Sequence, residues 1–158
     1  MAPLKPLDCF KAYDIRGKLG EEFNEEIAYR IGRATVQTLN AKTVVLGFDA
    51  RETSPKLAQA VAKGICDANA DVLEIGLAGT EEMYAATLDF CAGAGIEVTA
   101  SHNPIDYNGI KIVKQGSQPL SFREFKNIKC LAEDCDFSAL GSHGSVIDKR
   151  VYARNSYA

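Results

Sequence analysis

Apolar residues recur along this chain with two periods. Between Glu21 and Asn40, Phe23, Ile27, Ile31, Ala34 and Thr38 fall on one helical face, with acids gathered in the first turns where the helix dipole favours them. Thr43 to Phe48 is instead an unbroken apolar run of strand length, suited to a sheet covered on both faces. Ser54 is a natural N-cap ahead of Pro55 and opens a second helix through Leu57, Val61, Ile65 and Ala68. Asp71 to Leu77 reads as the next strand, ended by Gly79. Thr80 is then expected to cap a third helix that turns Met83, Ala86, Thr87 and Phe90 inward. Ile96, Val98 and Thr99 form a β-branched run that reads as another buried strand. The alternation predicts right-handed crossovers and a three-layer α/β/α domain around a mixed, mostly parallel sheet.

The last of these strands breaks abruptly into Ser101-His102-Asn103-Pro104, small, polar and φ-restricted residues that cannot extend it. The chain returns through Asn108-Gly109, a strong turn signal, into the short apolar run Ile110 to Val113. A hydroxyl, an imidazole and an amide thus sit on a loop held between two strands, a usual arrangement for reactive groups on a rigid scaffold. Lys111 alternates with Ile110 and Ile112 and is expected on the polar side. Farther on, Ser121 and Glu124 form a capping box for a helix whose predicted buried face is Phe122, Phe125, Ile128, Leu131, Ala132 and Cys135. Gly141-Ser-His-Gly-Ser145 reads as a linker with His143 in solvent. Val146 to Ala158 reads as a strand and helix start with no evident packing partner.

At 158 residues there is room for one domain with a full core, and 46% hydrophobic against 25% charged residues is ordinary for a soluble protein. The net charge of -3, with no segment rich in Lys and Arg, argues against a nucleic-acid or membrane surface. No apolar run approaches the ~20 residues of a membrane span. Five cysteines show neither a disulfide framework nor a Cys-x-x-Cys pair, which points to reduced, packing cysteines and a cytoplasmic setting.

Two further segments carry chemistry. In Cys9 to Gly17, an extended stretch turning at Gly17, Asp14 and Arg16 are either a solvated pair or a place where Arg16 offers bidentate donors to a phosphate. After the strand ending at Phe48, Asp49 and Arg51 lie at the carboxyl end of the sheet, as an ion pair locking the loop or as ligand-binding groups.

Thr99-Ala-Ser-His-Asn-Pro104, followed by Asp106, Tyr107, Asn108, Gly109 and Lys111, resembles the phosphoserine loop of the phosphomannomutase/phosphoglucomutase (α-D-phosphohexomutase) family. Lys11-Ala-Tyr-Asp-Ile-Arg-Gly17 resembles the opening motif of the same family. The resemblance implies a phosphorylated Ser101 that exchanges phosphate between O6 and O1 of a hexose through a hexose 1,6-bisphosphate. It implies Ser101, His102, Lys111 and Arg16 as catalytic groups, and Tyr13, Arg16, Asn103 and Lys111 as phosphate or substrate ligands. It also implies Mg2+ touching this chain only through the phosphate on Ser101, bridged to aspartates of another domain. Gly79-Thr80-Glu81-Glu82 resembles the enterobacterial phosphomannomutase branch, which favours mannose phosphates. Gly47-Phe-Asp-Ala-Arg51 lacks one arginine of the family's Gly-Arg-Asp-x-Arg, which leaves Asp49 and Arg51 as positioning residues.

The resemblance covers the first of four family domains. The metal loop, the sugar-specificity loop and the C-terminal phosphate loop have no counterpart here. The expectation is a domain I at 1–140, a lead into domain II at 141–158, the remaining mutase domains as partners, and little activity from this chain alone. A serine hydrolase or phosphatase using Ser101 and His102, and a non-catalytic phosphosugar- or partner-binding module, are the competing readings. The hydrolase lacks a Gly-x-Ser-x-Gly elbow.

Overall fold

The computed structural model describes residues 7–11, 14–101, 103–135, 137 and 142–155, without the side chains of 153–155. One sheet runs through it in the order Ile15–Lys18, Tyr107–Lys114, Ala94–Val98, Thr43–Phe48, Asp71–Leu77 and Val146–Asp148, with Gln118–Pro119 paired to Tyr107–Lys114. Strands β2 (Thr43–Phe48), β3 (Asp71–Leu77), β4 (Ala94–Val98) and β7 (Val146–Asp148) form a parallel block. Strand β5 (Tyr107–Lys114) runs antiparallel to β4, to the edge strand β1 (Ile15–Lys18) and to β6 (Gln118–Pro119).

Alternation along the strands divides the core. Val44, Leu46, Ile96, Val98 and Ile110 pack beneath α1 (Glu25–Leu39), α2 (Ser54–Asp67) and α4 (Phe122–Asp134). Val45, Leu73, Ile75 and Val113 pack on the other face against Met83 and Ala86 of α3 (Thr80–Asp89), with Tyr152 of α5 (Arg150–Asn155) alongside. The expected three layers are therefore present. Among the described residues no helix is long and apolar enough to cross a membrane. All five cysteines are free, and burial pushes the Cys9 thiol up to about 12.

Local signals held where their hydrogen bonds are local. Ser121 Oγ accepts from Glu124 N at 3.1 Å, and Glu124 returns a carboxylate to Ser121 N at 2.8 Å. Several expectations are corrected. Helix α1 begins at Glu25, because Asn24 Oδ1 caps Ile27 N at 3.0 Å. Gly79, not Thr80, precedes α3, and its N–H is held by Glu82 Oε1 at 2.7 Å. Phe122 is exposed, so α4 buries chiefly Ile128 and Ala132. Asn108 and Gly109 lie inside β5 rather than in a turn, since β1 pairs with both.

The stretch after the linker does find a packing surface. Strand β7 adds in parallel to the edge of β3, and the Tyr152 ring lies 5.2 Å from that of Phe90. His143 is half-exposed as expected, with Nδ1 3.1 Å from Asp67 Oδ1.

Helices α1 and α2 approach closely because Gly32 and Gly64 carry no side chain. A Cβ on Gly64 would lie 2.2 Å from Tyr29 O, and one on Gly32 2.5 Å from Val61 O. Gly64→Ala is expected to cost about 1–3 kcal/mol by forcing the helices apart. Scanning calorimetry should register this as a lower Tm, by roughly 2–4 °C per kcal/mol.

Candidate active site

Strands β2 and β4 end side by side, and Asp49 N donates to Val98 O at 3.0 Å, so the loops that follow leave the sheet together. The β4 loop turns at once. Ser101 adopts φ 54°, its N–H donates to Thr99 Oγ1 at 3.0 Å, and both Asn103 N and Asn103 Nδ2 donate to Ala100 O, at 3.0 and 2.7 Å. Serine tolerates this left-handed backbone better than a β-branched residue would. The bend leaves Ser101 exposed at the mouth of the sheet while Thr99 and Ala100 stay buried.

Arg51 holds the loop in that shape. Its Nη1 donates to Pro104 O (2.7 Å) and Tyr107 O (3.1 Å), and its Nη2 to Ser101 O (3.0 Å) and Asn103 O (2.5 Å). Its Nε lies 3.6 Å from Asp49 Oδ2. A planar guanidinium with five fixed donors can serve four carbonyls at once, which an ammonium cannot. Asp49 is anchored in turn, since its Oδ1 accepts from Arg51 N (3.1 Å) and from Ser54 Oγ (2.5 Å). Asn108 Nδ2 completes the chain by donating to Ser54 Oγ (3.0 Å) and Thr53 Oγ1 (2.9 Å). Ser54 is thus the first residue of α2 and not its cap, its hydroxyl being engaged with Asp49 and Asn108. The roles of Ser54, Thr99 and Asn108 were missed because each depends on a partner outside its own helix or turn pattern.

The ladder fixes which side chains share the α3 side of the sheet. Arg16 lies opposite Gly109, whose carbonyl accepts from Thr99 N at 2.9 Å. Lys111 lies opposite Glu97, which lies opposite Gly47. Arg16 is part-exposed with Nε 3.8 Å from Asp14 Oδ2, as the solvated-pair reading expects. Lys111 is half-buried and lines a groove of about 520 Å3 whose walls include Asp14, Tyr84, Ile112 and Phe125. Arg16 and Lys111 therefore share one side of the sheet, opposite Gly109 and Glu97, while Ser101, Asn103, Asp49 and Arg51 stand on the loops that leave its carboxyl end. Tyr13 and His102 lie outside the described residues. Among the described residues no group of three or more His, Cys, Asp or Glu is arranged to hold a metal ion.

Glu97 was missed, although an acid inside the apolar run Gly95 to Val98 is itself a signal. It is fully buried, with neither carboxylate oxygen hydrogen-bonded among the described residues. It occupies space that only a glycine leaves, since a Cβ on Gly47 would lie 2.6 Å from Glu97 Oε1. Loss of hydration, then the nearby charges of Asp49 and Glu82, push its carboxyl up to about 9.

Two outcomes follow. Arg51→Met is expected to release the four carbonyls and raise amide exchange at 103 and 105–107 at least about tenfold, with Arg51→Lys failing to restore protection. Glu97 holds its proton in the folded state from the ordinary carboxylate range up to about pH 9. The stability it contributes is therefore complete below the unfolded value, near 4.5, and drains away as pH rises towards 9. Glu97→Gln should remove that loss, so its Tm should exceed that of the wild type by a margin that widens between pH 5 and pH 9 in thermal melts.

Residues 8–138 match the family model described as phosphoglucomutase/phosphomannomutase, alpha/beta/alpha domain I. The chain is 58% identical over 135 residues to a phosphomannomutase of Escherichia coli (strain K12), covering 85% of this chain and 30% of that protein. It is 52% identical over 152 residues to a phosphomannomutase of Salmonella typhimurium, covering 96% of this chain and 33% of the relative. Among solved structures, a phosphoglucomutase/phosphomannomutase family protein of Burkholderia thailandensis superposes with a TM-score of 0.81 at 32% identity, over 94% of this chain and 34% of that one. The chain thus spans about a third of the length of these relatives.

Proposed function

The chain belongs to the phosphoglucomutase/phosphomannomutase family as its α/β/α domain I, and from that premise we propose that it presents Ser101 as the phosphoryl carrier of a phosphohexomutase. The observation that carries this reading is the exposed Ser101 fixed by Thr99 and by the Arg51 clamp, beside a sheet face bearing Arg16 and Lys111. A serine hydroxyl is a weak nucleophile, and phosphoryl transfer depends mainly on positioning and charge neutralisation. A fixed loop supplies the first, and two cations the second.

In the proposed reaction a hydroxyl of a hexose monophosphate attacks the phosphorus carried on Ser101. The bond to Ser101 Oγ breaks as the bond to the sugar oxygen forms, and the sugar proton ends on Oγ. The bisphosphate turns and the reverse step returns its other phosphate to Ser101, exchanging O6 for O1. Arg16 and Lys111 neutralise phosphate charge, Asn103 shapes the loop, and Asp49 and Arg51 position it. Tyr13 and His102 are assigned by the family motif, as substrate contact and as acid, base or orienting group. The relatives' names favour mannose phosphates. Mg2+ is the ion the family resemblance implies; on this chain the phosphate on Ser101 would be its ligand, and the ion would neutralise charge on the transferring phosphoryl group. The rest of the cleft would come from the length the relatives have in addition, in a cytoplasmic mutase.

Intact-mass spectrometry after incubation with mannose 1,6-bisphosphate is expected to show an adduct of ~80 Da, one phosphoryl group. The adduct should map to Ser101 and be absent from Ser101→Ala, while the chain alone should not convert mannose 1-phosphate. A wild-type chain that stays unmodified would refute the carrier role. Labelling of Ser101 by a fluorophosphonate instead would mark a hydrolase.

A further inference from the structure

An acid with no bonded partner stands directly across from a cation of the proposed site. Glu97 on β4 is fully buried, and neither carboxylate oxygen has a hydrogen-bond partner among the described residues. An apolar side chain would fill the same slot without the cost of dehydrating a carboxyl. Packing therefore does not account for Glu97, and a buried acid left unbonded beside a groove asks for a functional explanation. Its register partner on β5 is Lys111. Side chains directly opposite on antiparallel strands start about 5 Å apart on one face.

The two side chains nevertheless lean apart. The Glu97 head lies towards β2, over Gly47, where a Cβ would come within 2.6 Å of Oε1. Lys111 lines the groove with Asp14 and Tyr84, and the ion pairs among the described residues do not include it.

Charge explains the split. The polar groups facing Glu97 are Asp49 after β2, Glu82 and Tyr84 on α3, and Lys111 on β5, while β3 offers only Ile75. Arg16 stands one strand farther, opposite Gly109. Burial and the two acids keep the proton on Glu97. Burial, then the charges of Asp14 and Glu97, pushes the Tyr84 phenol up in turn, so Glu97 is felt at the groove wall. Of the facing groups, only Lys111 is a cation. A neutral Glu97 has no charge with which to hold it, and the ammonium is left to the groove. An ionised Glu97 would be a buried charge in need of a partner, and the flexible stem of Lys111 can swing back to it.

We infer that Glu97 is a positioning residue for Lys111: as a neutral acid it leaves the ammonium extended towards a ligand phosphate, and as a carboxylate it draws the ammonium back across the strand pair. Phosphate in the groove and a proton on Glu97 therefore favour each other, each raising the other's affinity by the same factor. The inference rests on the proposed mutase reading for the phosphate, and adds to it a residue that touches no substrate.

The first arm of the test needs no ligand. In 13C NMR of the wild-type chain, Lys111 Cε is expected to show an inflection at the midpoint of Glu97 Cδ, near 9. Glu97→Gln should abolish that inflection. Lys111→Met should move the Glu97 midpoint up by about one pH unit, Lys111→Arg should restore it, and Lys114→Met, whose ammonium pairs instead with Glu124, should leave it in place. The second arm titrates mannose 1-phosphate. Wild-type affinity is expected to fall about three- to tenfold between pH 7 and pH 9.5, the loss of a charge-assisted contact, and that of Glu97→Gln by less than about twofold. If Lys111 Cε does not follow Glu97 and Lys111→Met leaves the Glu97 midpoint in place, the inference falls and the mutase reading stands. An equal alkaline loss of affinity in wild type and Glu97→Gln also overturns the positioning role. If the two residues titrate together but mannose 1-phosphate does not bind saturably at pH 7, the phosphate role of Lys111 falls and the coupling stands.

Discussion

The candidate site depends on one guanidinium group turned inward. Four carbonyl oxygens of the Ser101 loop converge on Arg51, and Asp49 holds its remaining edge. A loop of polar residues at the end of a sheet would otherwise sample many shapes, because nothing apolar packs it down. Arg51 uses its donors on the protein's own backbone, so it is spent as a scaffold. The cations left to meet a ligand are those on the outer strands. That division between an arginine that shapes and cations that bind accords with Phe48 standing where the resembled Gly-Arg-Asp-x-Arg motif has its first arginine.

The network reaches back into the fold through Ser54 and Asn108. Asp49, Ser54 and Asn108 join the β2 loop, the first turn of α2 and the start of β5 by bonds of 2.5 to 3.0 Å. Asn108 is fully buried. Within a water-poor region such bonds are strong when complete and costly when one member is removed. Helix α2 and the Ser101 loop are thereby held in one fixed relation. A change at the helix start is felt at the serine.

Much of this was legible in the sequence, and the exceptions have physical causes. Element type and order, the three layers and the capping box of α4 followed from periodicity and from contacts within a few residues. Asn108-Gly109 reads as a turn by local preference, but β1 lies across it and pairing prevailed. Ser54 looks like a cap, yet its hydroxyl bonds groups in two other segments. The Arg51 clamp is hidden because its acceptors are backbone carbonyls, which every residue carries. Glu97 was visible as an acid among Gly95, Ile96 and Val98, but only the fold shows that Gly47 makes room for it.

The docking of β7 has a consequence for how the molecule behaves in company. A sheet's last strand is a template on which another chain can pair, and the hazard grows with the length of its open edge. Here that edge is three residues long, Val146 to Asp148, and it runs directly into Lys149 and Arg150, the latter paired with Asp148 at 2.7 Å. An intruding strand would gain few backbone bonds and meet charge at once, so the same segment that completes the sheet also shields it from fibrillar stacking.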